Sequence, residues 1–94
     1  GRPGGAAAGR GAEDFRRARR HATRQAGLRR KLEALEEKID GLEKQLAELG
    51  ARITAAGESG RLEEVEGLGA DYAAKEAELK KLWADWEALG SELE

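Results

Sequence analysis

Leu28, Leu32, Leu35, Ile39, Leu42, Leu46, Leu49 and Ile53 recur at alternating spacings of four and three residues. That spacing keeps an apolar stripe on one side of a slightly underwound helix, which is the pattern of a coiled coil. After a glycine-bearing gap a second stripe follows through Val65, Leu68, Tyr72, Leu79, Leu82, Trp86, Leu89 and Leu93. Neither helix can hide its stripe alone, and the nearest complementary surface is on the same chain. Closing a short loop costs little entropy. The chain is therefore expected to be all-α, a two-helix antiparallel coiled-coil hairpin with a flexible N-terminal basic segment.

Antiparallel packing matches a positions with d positions. With a at 32, 39, 46 and 53 in the first seam and at 65, 72, 79, 86 and 93 in the second, folding about Gly57 sets Leu28 against Trp86, Leu32 against Leu82, Leu35 against Leu79, Leu42 against Tyr72, Leu46 against Leu68 and Leu49 against Val65. A slip of one heptad, folding nearer Gly60, preserves the matching and sets Leu35 beside Trp86. The shorter loop favours the fold about Gly57. Lys75 then falls on a d position opposite Ile39, with its stem buried and its ammonium within reach of Asp40 or Glu43. A lone polar group in a seam serves mainly to fix register.

Residues 1–12 are rich in Gly and Ala and hold the only proline, so they are read as a flexible linker. Residues 13–94 form the hairpin, with helix one over about 14–56, a turn at 57–60 and helix two over about 61–93. Glu13 and Asp14 suit a helix N-terminus. Gly27 costs about 1 kcal/mol against Ala inside a helix, so the segment before it is expected to fray. Gly57, Ser59 and Gly60 supply turn chemistry, and Ser59 or Gly60 is placed to cap helix two.

Charge is divided along the chain. Residues 1–31 hold ten Lys/Arg against Glu13 and Asp14, a net of +8, whereas residues 32–94 hold seven basic and seventeen acidic groups, a net of −10. The overall charge of −2 conceals this division. Arg16, Arg17, Arg19 and Arg20 fan around a helix, Arg24 continues one of its faces, and Arg29, Arg30 and Lys31 add a second cluster. Such a surface neutralises several phosphates and releases their counterions, the electrostatic footprint of nucleic-acid binding. In the register about Gly57, Lys80 and Lys81 lie near Leu32 and join the second cluster. Trp83, at an e position, is left with two roles: covering the seam edge, or stacking on a base. Trp86, at an a position, is read as core.

The remaining composition narrows the function. With 94 residues, 38% charged and 4% aromatic, the chain has one thin seam and no thick core. There is no cysteine to hold a disulfide or a thiolate metal site. His21, the single histidine, has no evident co-ligands and is read as a surface group. No phosphate loop or paired acid and base is present, so neither catalytic nor metal residues nor cofactors are expected. No apolar run reaches membrane-spanning length. Thr23 is the only hydroxyl before Gly27, which argues against a targeting presequence.

Leu32-Glu33-Ala34-Leu35-Glu36-Glu37-Lys38-Ile39, a short turn, and an ending in Trp83-Ala84-Asp85-Trp86-Glu87-Ala88-Leu89 resemble the C-terminal coiled-coil domain of ABC-F class ATPases, especially the Uup-type branch. That family closes its second helix with an aromatic three residues before a tryptophan that is followed by Glu and Leu, matched here by Trp83, Trp86, Glu87 and Leu89. The resemblance covers about residues 24–94. The chain departs from the family at Arg24-Gln25-Ala26-Gly27, where a Tyr-Lys-rich start is common, and at Ala55-Ala56-Gly57-Glu58, where the loop often carries proline. The resemblance implies a non-catalytic fragment of a cytoplasmic ATPase with its nucleotide-binding domains upstream, contacting DNA or the ribosome. The chain is expected to be a monomer that binds DNA or structured RNA. The alternatives are a structural or partner-docking coiled coil without nucleic acid, and an RNA-contacting helical arm like that of seryl-tRNA synthetase, against which the tryptophan-rich ending argues.

Overall fold

The computed structural model describes the backbone of residues 4–94 and side chains from Arg10 onward. Two helices make up the described chain: α1, Gly4–Glu58, and α2, Leu62–Gly90. They lie antiparallel as a rod of 90 × 14 × 14 Å. The fold is thus a helical hairpin, with α1 almost twice as long as its partner. From Gly4 the backbone is helical where composition predicts a linker, while residues 1–3 of that linker lie outside the described residues. Ala6, Ala7, Ala8 and Ala12 are strong helix formers, and extending an existing helix requires no new nucleus. Gly27 does not break α1 either. Glu13 and Asp14 consequently sit within the helix rather than at its N-terminus.

The turn departs from the sequence reading and fixes everything downstream. Gly60 adopts φ +69°, in the left-handed region. Its N–H donates to Gly57 O (3.1 Å), and the Arg61 N–H donates to Ala56 O (2.9 Å). This pair of bonds is a Schellman ending, which places a glycine just past the helix. The turn glycine is therefore Gly60, with Gly57 still inside α1. Ser59 and Gly60 do not cap α2. Arg61 takes the N-cap position without a side-chain cap, and its guanidinium instead bonds Glu64 Oε2 at 3.2 Å.

The register is accordingly slipped one heptad from the fold about Gly57. Leu49, Ala56 and Leu68 form one buried cluster with Ile53, Val65 and Tyr72 packed on it. The Tyr72 ring lies by Gly50, and Trp86 Nε1 donates to Glu36 Oε1 at 3.0 Å. Leu35 is thus level with Trp86 rather than Leu79, and Leu42 level with Leu79 rather than Tyr72. Folding about Gly57 would set Leu89 and Leu93 at the level of Gln25 and His21. The slip sets them by Leu32 and Leu28 instead and adds the Ala56–Val65 layer. Full burial of a leucine is worth roughly 1.5–3 kcal/mol, and even the half-burial of these four outweighs the small difference in loop closure. Lys75 moves with the register: it lies by Leu42, Gln45 and Leu49 and bonds Asp71 at 2.8 Å, away from the Ile39, Asp40 and Glu43 expected around it.

Burial is greatest from mid-rod to the turn, at Ile39, Leu42, Leu46, Leu49, Ala56 and Leu68. Toward the open end the seam residues Leu28, Leu32, Leu35, Leu82, Trp86, Leu89 and Leu93 are only half-buried.

Candidate nucleic-acid interface

Helix α1 runs past the reach of α2. Beyond Gly90 the chain turns through Ser91, whose N–H donates to Glu87 O (3.0 Å) and whose hydroxyl donates to Ala88 O (2.8 Å). Residues 91–94 then cross α1 and reach no further along it than His21, whose Nε2 lies 3.1 Å from Glu94 Oε2. Everything from Arg10 to Arg20 is exposed on all sides. This overhang carries Arg16, Arg17, Arg19 and Arg20, and the only ion pair among them is Arg17 with Asp14, at 4.0 Å. Arg16, Arg19, Arg20 and Arg24 share one face with Thr23, forming a shallow shelf of about 400 Å³. Thr23 turns its hydroxyl inward to Arg19 O (2.9 Å), leaving the guanidiniums outermost. From Arg16 to Arg24 the shelf rises about 12 Å along the helix. Phe15, 66% exposed, is an apolar group set among these charges.

Arg29, Arg30 and Lys31 are exposed at the root of the overhang. Lys80, Lys81 and Trp83 are exposed too, but the register separates them from that cluster. Leu82, their neighbour, lies by Lys38, Gly41 and Leu42, not by Leu32. Lys80 and Lys81 therefore sit roughly 15 Å along the rod from Arg30. The continuous basic surface expected across the open end does not form. Trp83 packs edge-on against Trp86, with ring centroids 5.4 Å apart and planes at 82°, and stays 41% exposed. It covers the seam and keeps an open face.

Gln25 is a structural residue that sequence reasoning missed. It is the one buried polar residue among those described, at 7% exposure. Its amide donates to Glu92 O (3.2 Å) and accepts from the Glu94 N–H (3.1 Å), so one side chain satisfies both backbone groups of the crossing tail. The signal was in the heptads. Gln25 and His21 continue the a and d positions of Leu32 and Leu28 by one heptad, where polar groups meet the tail in place of a leucine. Among the described residues no acidic or histidine cluster is arranged to hold a metal ion, and no helix is long and apolar enough to cross a membrane.

A family model described as "ABC transporter C-terminal domain" matches residues 25–91 of the 94. No curated protein and no solved structure matches the chain. The matched span covers the paired hairpin and leaves the overhang outside it.

Proposed function

The chain belongs to the ABC transporter C-terminal domain family, and from that premise we propose that it is the nucleic-acid-binding module of a cytoplasmic ABC-F type ATPase of the Uup branch. The domain is a C-terminal extension of ABC proteins and not their ATPase domain. Its role in this reading is to hold DNA or ribosomal RNA while nucleotide-binding domains elsewhere in the parent hydrolyse ATP. One observation carries the reading: a helical overhang, free of α2, whose arginines are exposed and almost wholly without acidic partners. Arg16, Arg17, Arg19, Arg20 and Arg24 make the primary contact, with Arg29, Arg30 and Lys31 at its root. Lys80, Lys81 and Trp83 form a separate, lesser contact further along the rod. The acidic hairpin beyond repels phosphate and leaves the overhang as the docking end.

Titration with a fluorescent DNA duplex and a structured RNA over a range of salt tests this. Replacing Arg16, Arg17, Arg19 and Arg20 together by Gln is expected to remove most binding. It should also flatten the plot of log affinity against log salt by about 0.7–0.9 per lost phosphate contact, with helicity unchanged. Equal binding by parent and variant would replace this reading with that of a partner-docking coiled coil.

A further inference from the structure

Arg24 belongs to two surfaces at once. On one side it completes the shelf with Arg16, Arg19 and Arg20. On the other it lines a cavity of about 190 Å³ beside the crossing tail, together with His21, Gln25, Glu92 and Glu94. Two carboxylates are thereby held at the root of the arginine overhang, yet among the described residues Arg24 makes no ion pair. What holds the tail is mostly neutral. The Gln25 amide donates to Glu92 O and accepts from the Glu94 N–H, and Leu93 between them is half-buried; the His21–Glu94 contact at 3.1 Å adds to these. Both carboxylates stay exposed. The backbone that carries them leaves α2 through single turn bonds, from the Glu92 N–H to Leu89 O (3.1 Å) and from the Leu93 N–H to Gly90 O (3.2 Å).

We infer, on the reading of the overhang as the nucleic-acid-binding end, that residues 91–94 are an acidic strap that regulates it: docked on Gln25 the strap weakens phosphate binding at Arg24, and bound phosphate in turn loosens the strap. A phosphate that reaches the Arg24 guanidinium comes beside Glu92 and Glu94, and like charges at that range repel. Gln25 is uncharged, so its bonds keep the tail docked at salt concentrations that already weaken phosphate contacts. The docking is shallow, because ordinary hydrogen bonds exchange with water at small net gain, and a modest repulsion is enough to shift it. Coupling of this kind is reciprocal: what a docked tail subtracts from phosphate affinity, phosphate subtracts from docking. Arg16, Arg19 and Arg20 lie about one to two helical turns beyond Arg24, past the last residue that the tail touches, so the strap modulates binding at the shelf and does not block it.

Titration of the full chain with a short fluorescent DNA duplex, joined to hydrogen exchange at the Glu94 amide, tests both directions. Gln25→Ala changes no charge, so on net charge alone it should bind as the parent does. By releasing the strap it is expected to bind about two- to fivefold tighter. Glu92→Gln with Glu94→Gln keeps the backbone bonds to Gln25 and should gain a similar factor at about 0.05 M salt, and little at about 0.5 M. In the parent, a saturating duplex should speed exchange at the Glu94 amide by about the factor that Gln25→Ala gains in affinity, while amides near Leu68 keep their rate. In Gln25→Ala the duplex should add nothing. The parent's own exchange does not depend on how a variant folds. Parent-like affinity in Gln25→Ala at unchanged helicity, or Glu94 exchange in the parent that slows or ignores the duplex, would overturn the strap and leave the nucleic-acid reading standing. Absence of binding by the parent and both variants would overturn that reading, and the strap with it.

Discussion

Two glycines three residues apart play opposite parts in this hairpin. Gly60 holds φ +69°, which an L side chain adopts only at a cost of roughly 1–2 kcal/mol. Gly57 lies in ordinary helix with nothing within 4 Å of where a Cβ would stand. Gly60→Ala is therefore expected to lower the urea midpoint. Gly57→Ala should raise it, since Ala gains roughly 0.5–1 kcal/mol over Gly in a helix. A hairpin folded about Gly57 would reverse the two signs. At the centre of the seam Leu42 is 8% exposed, and Leu42→Ala should cost roughly 2–5 kcal/mol. Glu37→Ala, on the exposed face, should move stability by less than about 0.5 kcal/mol. Denaturant melts of the two variants side by side provide the check.

At the scale of elements, the end of α2 is secured by a side chain of α1. Gln25 closes on Glu92 O and the Glu94 N–H, while His21 reaches the Glu94 carboxylate. Glu92 and Glu94 are exposed, so each bond is worth about the 0.5–1.5 kcal/mol of an ordinary net hydrogen bond, and the tail follows the glutamine. Gln25→Ala should speed hydrogen exchange at the Glu94 amide by roughly two- to tenfold. Amides inside the helix near Leu68 should keep the parent rate. Unchanged exchange at Glu94 would show that the tail crosses α1 without the glutamine. The tail also defines the overhang, because it is the last part of the chain to touch α1 before Arg20.

Over the whole molecule, charge and packing occupy opposite ends of a 90 Å rod. Burial is greatest from mid-rod to the turn; the basic overhang is at the other end, and between them the seam is half-buried. A thin rod gains only one layer of burial per turn of helix, so its stability is spread along the seam and its exposed ends are free to carry charge.

The sequence by itself determined two helices, their antiparallel pairing and the basic segment, because apolar spacing and charge are local properties that no later contact revises. Its reading of Gly57 as the turn failed for a reason built into the pattern: a heptad repeat looks the same after a slip of seven residues. The tie was broken by the match of Leu89 and Leu93 with the distant Leu32 and Leu28, together with the local Schellman ending at Gly60. Once the register moved, Lys80 and Lys81 left the arginine cluster, Lys75 changed neighbours, and Gln25 met the tail. Only the tertiary structure decided where those side chains lie, since each position depends on residues distant along the chain, from Leu49 beside Lys75 to Glu94 beside Gln25.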